Sequence, residues 1–319
     1  MGALAWVGGS LQVKNVISRY FSKGLFSLAG GMSAFALGGS AANAAEPQPW
    51  QIYFQPPVTP VAVQAQAFNG GVLLVAVLIS LFVLALLVTV IVRFNAKANP
   101  VPTKTSHNTM IEVVWTIVPV LILVGITIPS FALLFAANDP ARAITGYDAT
   151  KDKPLFVKVI GHQWSWSYEY PDSPGISIDS NIVRDPDKGD QAENFAAGAP
   201  RLLEADNALV VPVGTVVRAH VTSTDVIHSF TVPAFSMKID AVPGRLNETW
   251  FRADKEGIYY GQCAQLCGQD HAFMPINVRV VSKDKFSQFI AAAKTNLDGA
   301  YKILGEVDTP AGRTQLAGR

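Results

Sequence analysis

Two long, charge-poor stretches decide what this chain can fold into. Gly70 to Val92 carries no charged residue and is long enough to cross the ~30 Å hydrocarbon core of a bilayer. Ile111 to Ala137 is the second stretch, and its lone acid, Glu112, lies near its start. The connector from Arg93 to Met110 holds Arg93, Lys97 and Lys104 and no acid. The positive-inside rule places that connector in the cytoplasm, so both flanking segments lie outside. Composition agrees with a mixed chain. With 50% hydrophobic and 15% charged residues, it is too apolar for an ordinary soluble domain and too polar for a multi-span transporter.

The N-terminus supports the same topology. Lys14, Arg19 and Lys23 form a basic region without acids, followed by a short apolar run from Leu25 to Leu37. Small residues at Ala42 and Ala44 then complete the pattern of a secretory signal, with cleavage expected after Ala44 or Ala45. The expected organisation is a signal peptide (1–45), an external N-terminal segment (46–69) and a transmembrane helical hairpin (70–137). A water-exposed domain (138–285) and a C-terminal helix and tail (286–319) follow.

Past Asn138 the pattern changes. Leu155–Ile160, Val216–Val221, Ser229–Val232, Thr249–Arg252 and Asn277–Val281 are short, β-rich and bounded by turn residues. Regular short strands predict a β-sandwich or small barrel. Asp185 to Ala199 reads as a polar loop, and Lys283 to Lys294 as an amphipathic helix. The last twenty or so residues read as a weakly ordered tail.

The chemistry concentrates between Tyr259 and Pro275. This stretch holds Cys263, Cys267, His271 and Met274, the two cysteines being the only ones in the chain. Thiolates and a thioether are soft donors and imidazole is borderline, a mixture that suits copper better than hard cations. An electron-transfer copper site needs a second imidazole, and His228 in Asp-Val-Ile-His-Ser-Phe is the natural candidate. Two thiolates four residues apart can bridge a pair of coppers, with Met274 and a main-chain carbonyl between the cysteines as weaker ligands. Two other readings of the same residues stand beside this one: a structural disulfide and a tetrahedral zinc site. No Cys-x-x-Cys-His occurs, so no c-type haem is attached.

These residues resemble subunit II of the haem–copper cytochrome c oxidases. The resemblance rests on Gly161-His-Gln-Trp-Ser-Trp-Ser-Tyr-Glu-Tyr170, Arg201-Leu-Leu-Glu-Ala-Asp206, His228-Ser-Phe-Thr-Val-Pro, Pro243-Gly-Arg-Leu-Asn247 and the cysteine stretch. It implies a two-helix transmembrane hairpin plus an all-β cupredoxin-like Greek-key barrel over residues ~150–285. It implies that His228 and Met274 ligate one copper and His271 and the carbonyl of Gln265 the other, with Cys263 and Cys267 bridging. The family usually has Glu where this chain has Gln265. That side chain normally also binds magnesium or manganese at the boundary with subunit I, and a neutral amide is a poorer ligand for a hard cation. The resemblance singles out Trp164 as the point where electrons arrive from cytochrome c. It also makes Glu112 the mouth of a proton pathway into subunit I.

Trp164, Trp166, Tyr168 and Tyr170 alternate with polar residues, which on a strand makes one aromatic face. Apart from Trp164 these rings are read as packing, and His162 as a structural hydrogen-bonding residue. From Glu169 to Asp225 ten acids face four bases, a net of −6. Glu169, Asp206 and Asp225 are the expected docking acids for a basic cytochrome c. The expected partners are subunits I and III, cytochrome c and the bacterial inner membrane, with the copper domain in the periplasm and no nucleic acid. A copper-delivery protein, a quinol oxidase subunit and a nitrous oxide reductase are the competing readings. Permanent retention by five side chains, the presence of the ligands, and the helical anchor with Glu112 argue against each in turn.

Overall fold

The computed structural model describes residues 44–45, 47–48, 50–183 and 200–305. The expected signal peptide, save Ala44–Ala45, and the expected loop from Asp185 to Ala199 lie outside the described residues.

Helix α1 runs from Pro60 to Arg93. Thr59 caps it, its hydroxyl accepting the Ala62 N–H, and Pro60 occupies the first turn, where its missing N–H costs nothing. The helix therefore begins ten residues before the charge-free run at Gly70. Its 34 residues span ~51 Å at 1.5 Å per residue, well beyond a ~30 Å hydrocarbon core. The extra turns hold Gln64 and Gln66, whose amides donate to the carbonyls of Ala143 and Gln55. Helix α2 runs from Thr109 to Asn138, capped by Asn108, with Pro119 and Pro129 inside. The most apolar windows of both helices are unburied within the chain. Such surfaces need lipid or a partner to cover them. A one-turn helix, α3 (Pro140–Ala143), then turns the chain into the β domain.

Eleven strands are described. These are β1 (Ala44–Ala45), β2 (Leu155–His162), β3 (Ser165–Glu169), β4 (Ser177–Ser180), β5 (Leu209–Pro212) and β6 (Val217–Ser223), followed by β7 (His228–Val232), β8 (Met237–Ala241), β9 (Asn247–Phe251), β10 (Gly257–Cys263) and β11 (Pro275–Val281). They form two sheets. One has the order β5-β11-β10-β7-β8, with β1 paired to β10, and the other the order β4-β3-β2-β6-β9. Parallel pairs β2–β6 and β5–β11 sit among antiparallel ones. The chain thus crosses repeatedly between sheets, as a cupredoxin-like Greek-key barrel requires. Val157, Val159, Trp166, Tyr168, Val217 and Val221 face Leu209, Phe230, Val232, Ile276, Val278 and Val280 in one buried core.

The N-terminal segment is sewn into this domain. Val58 N–H donates to Ala234 O, Asp254 N–H donates to Val58 O, and the Thr59 hydroxyl donates to Phe235 O. Val61, Ile144, Val216 and Trp250 pack together there, with Leu133 and Ala137 of α2 against them.

The C-terminal expectation needs correcting. Helix α4 (Lys283–Ala293) forms as expected, capped by Ser282. A second helix, α5 (Leu297–Ile303), follows under an Asn296 cap and takes in the first residues of the expected tail, the remainder of which, 306–319, lies outside the described residues. Ala300, Tyr301 and Leu304 are buried. Tyr301 donates its hydroxyl to Ala208 O at 2.6 Å, and Arg279 donates to Leu304 O at 3.1 Å. Leu297, Ala300, Tyr301 and Leu304 have the i, i+3, i+4, i+7 spacing of an amphipathic helix, behind an Asn cap.

Candidate metal centre

Strand pairing assembles the site. Cys263 ends β10 opposite Phe230 of β7, two residues past His228. The chain then leaves the sheet and returns at Met274, whose carbonyl accepts the Cys263 N–H at 3.4 Å. The Ala264 N–H donates to Ser229 O at 3.0 Å, holding the loop onto β7. Gln265, Cys267 and His271 ride on this loop, and His271 opens a short 3-10 turn.

Six donors converge. Cys263 Sγ stands 3.9 Å from His228 Nδ1, 3.3 Å from Gln265 O and 4.0 Å from Cys267 Sγ. Cys267 Sγ stands 3.5 Å from His271 Nδ1 and 3.5 Å from Met274 Sδ. The cysteines are free thiols, which argues against the disulfide reading. The nearest ligand atoms of His228, Cys263 and Cys267 lie within 4.8 Å of one another, and all three residues are buried. Both imidazoles turn Nδ1 toward sulfur. For His228 the reason is visible: Nε2 faces the Asp225 carboxylate at 2.9 Å. An Nε2–H donated there leaves the Nδ1 lone pair pointing inward.

The electrostatics suit a cation. Burial disfavours a thiolate at Cys263, but contacts with His228 and with main-chain groups prevail and lower its pKa. Burial and then the negative charge of Cys263 push the Cys267 thiol up. One sulfur ionises at the expense of the other, a conflict that a positive ion between them resolves. Two sulfurs, two imidazoles, a thioether and a carbonyl form a predominantly soft set, which fits copper. Met274 at 3.5 Å from Cys267 is a donor that a Cys2His2 zinc site leaves without a role.

Packing shapes the surroundings. Trp166 is fully buried, meets the His228 ring edge-on at 5.9 Å and donates its indole N–H to Met274 O. A Cβ on Gly161 would lie 2.9 Å from His228 Cδ2, so only glycine leaves room for the imidazole.

The other expected residues fall in several places. Trp164 precedes β3 rather than lying on it; it is half-buried, and its indole covers Gly268. Trp166, Tyr168 and Tyr170 are buried packing. His162 bonds Thr224 and Ser167 through its two ring nitrogens, the structural part expected of it. Glu169 pairs with Lys158 at 3.1 Å. Asp206 accepts the main-chain N–H groups of Asn181 and Asn207. Asp225 accepts from Gln163 N, Val226 N and the Ser223 hydroxyl besides facing His228. Glu112 is remote from the donors, in the first turn of α2, where it accepts the Asn108 N–H. Sequence reasoning did not single out Gln163, Gly161 or Gly268. The only signal available was their place beside Trp164, His162 and Cys267.

Comparison with known proteins places this arrangement. Residues 155–281 match the family described as "Cytochrome C oxidase subunit II, periplasmic domain", and residues 47–133 match its transmembrane domain. A "Probable cytochrome c oxidase subunit 2" of Rickettsia bellii is 45% identical over 273 residues, covering 86% of this chain and 94% of that one. A "Cytochrome c oxidase subunit 2" of Cereibacter sphaeroides is 42% identical over 278 residues, covering 83% and 87%. The periplasmic domain of subunit II of a Bradyrhizobium japonicum cytochrome oxidase is 52% identical over 44% of this chain and 93% of that one, with a TM-score of 0.39. Two matched domains in the order of the helical hairpin and the β domain, with relatives aligned along most of their length, make this chain a member of the cytochrome c oxidase subunit II family.

Proposed function

We propose that this chain takes electrons one at a time from cytochrome c and passes them to haem in subunit I, where oxygen is reduced to water and protons are pumped. The observation that carries the reading is the buried pair of free thiols flanked by two inward-turned Nδ1 atoms, a thioether and a carbonyl. Cys263 and Cys267 would bridge two coppers. His228 and Met274 would complete one coordination sphere, and His271 and the Gln265 carbonyl the other. Two copper ions held this way supply a shared one-electron redox couple. The residues themselves hold the donors at fixed spacing, exclude water from His228 and the sulfurs, and set the imidazole tautomer through Asp225. A donor set anchored on the buried side chains of His228, Cys263, Cys267 and Met274 keeps reorganisation small, which favours electron transfer over substrate chemistry.

Trp164 would receive the electron, and Glu169, Asp206 and Asp225 would contribute to the acidic face that meets cytochrome c. Glu112 would mark the mouth of the proton pathway. A magnesium or manganese ion at the boundary with subunit I would bind weakly, because Gln265 offers a neutral amide. The mature chain would begin after Ala44 or Ala45, sit in a bacterial inner membrane beside subunits I and III, and carry its copper domain in the periplasm.

Electron paramagnetic resonance of the oxidised protein tests the reading. A seven-line copper hyperfine pattern is expected, because one unpaired electron is shared by two equivalent copper nuclei. A four-line pattern would mean a single copper, and a silent sample containing zinc would overturn the proposal.

A further inference from the structure

Gln163 makes two hydrogen bonds that reach different parts of the site. Its main-chain N–H donates to Asp225 Oδ2 at 2.6 Å. Its side-chain Nε2 donates to the main-chain oxygen of Cys267 at 2.8 Å. Asp225 in turn holds His228 through its other oxygen. One residue therefore ties the segment bearing His228 to the loop bearing Cys267, and the next residue is Trp164.

Trp164 is half-buried and one side of its ring packs against the barrel core. Its indole N–H is buried and has no hydrogen-bond acceptor among the described residues. The ring also approaches the loop closely: a Cβ at Gly268 would stand 3.0 Å from Trp164 Cζ2 and 3.2 Å from its Nε1, and 3.1 Å from Gln163 Nε2. Gly268 also adopts a φ of +130°, which side-chain-bearing residues avoid.

We propose that Gln163 is a positioning residue that clamps the Trp164 ring against the Cys267–Gly268 backbone and so fixes the path of the electron into the centre. The inference rests on the function proposed above. The clamp is a single part-buried bond from a glutamine amide to a loop carbonyl, and the net contribution of one such bond to fold stability is small. What it controls is relative position, on which the rate of electron transfer between two groups depends.

The test uses the full-length chain grown with 5-fluorotryptophan, as wild type, Gln163→Met and Gln163→Glu. Met keeps the length without a donor, and Glu presents an acceptor to the carbonyl. Trp164→Phe assigns the Trp164 fluorine resonance in metal-free protein. Both Gln163 variants should shift or broaden that resonance while the other tryptophans stay in place. In the assembled oxidase, kcat for cytochrome c oxidation should fall about tenfold, with KM changed by less than about twofold and the two-copper spectrum retained. Gly268→Ala, which presses on the same ring from the loop side, should move the same resonance. An unmoved resonance with unchanged kcat would refute the clamp. A rise in KM alone would also refute it, making Gln163 a contact for cytochrome c, and so would loss of the two-copper pattern, making it part of the ligand scaffold. A wild type lacking that pattern would refute the proposed function alone, and the fluorine comparison on metal-free protein would still decide the clamp.

Discussion

The Asp225 carboxylate lies 2.9 Å from Nε2 of His228, with three further hydrogen bonds from Gln163 N, Val226 N and the Ser223 hydroxyl. Burial opposes its ionisation, but these bonds prevail and hold its pKa down to about 2. A depressed carboxylate contributes stability in full above its unfolded value near 4 and loses it as pH falls through about 2. Asp225→Asn should therefore unfold more readily than wild type at pH 6, with the two proteins converging at the acid end. Near-UV circular dichroism of metal-free protein reads this, and parallel acid-unfolding curves would refute it. The same variant should bind copper about 10–100-fold more weakly, the usual effect of removing a carboxylate from a ligating histidine; chelator competition measures it.

Gly161→Ala places a Cβ 2.9 Å from the His228 ring. That ring is fully buried, so it can yield only by displacing its neighbours, among them Asp225, Trp166 and Cys263. The expected cost is about 1–3 kcal/mol of stability from overpacking, with a distorted or lost two-copper spectrum in protein that still folds. An unaltered spectrum would show that the imidazole has more freedom than the packing allows.

Glu112 performs a visible structural task, accepting the Asn108 N–H while Asn108 caps α2. Glutamine can accept the same bond but cannot carry a proton. Glu112→Gln should therefore slow oxidase turnover severalfold with copper content and helix content unchanged. Glu112→Ala removes the cap bond as well and should destabilise the helix start by about 1 kcal/mol. Full turnover in Glu112→Gln would leave Glu112 with the capping task alone.

Docking by acids predicts a salt effect. Association with a basic cytochrome c should slow as ionic strength rises, and Glu169→Gln or Asp206→Asn should flatten that dependence. Asp206 has its pKa raised by desolvation against its hydrogen bonds, so its neutralisation should cost little stability at pH 7. A salt-independent rate would exclude electrostatic docking.

Tyr301 fixes α5 to the barrel, packing on Phe289 at 5.2 Å and bonding Ala208 O. Tyr301→Ala should cost about 3–5 kcal/mol, as large buried aromatics do, and Tyr301→Phe about 1 kcal/mol for the hydrogen bond. Denaturant unfolding separates these values. Equal stability of the two variants would mean that the helix is held elsewhere.

The legible parts of the protein were those written in short range. Apolar length marked both helices, and four of the five donor side chains stand between Cys263 and Met274. Alternation marked the buried strands, although Trp164 falls outside β3 because the chain turns just before Ser165. Helix α5 is hard to read from sequence because its apolar stripe, Leu297, Ala300, Tyr301 and Leu304, is only two turns long. The clamp at Gln163 lay beyond sequence reasoning for a different reason. Its bonds join residues 62 and 104 positions apart, and nothing in the local pattern of a glutamine announces such a reach.

Thr59 caps α1 with the oxygen of the same hydroxyl that donates to Phe235 O in the barrel. Helix and domain thus share Thr59 as a joint, widened where Val61 of α1 and Leu133 and Ala137 of α2 pack with Val216 and Trp250. These contacts couple the tilt of the helices to the orientation of the β domain, as a mast carries its lamp. Lengthening the hinge with inserted glycines would let the copper-binding loop wander relative to the bilayer, and the geometry facing a membrane-embedded neighbour would become a distribution rather than a single value.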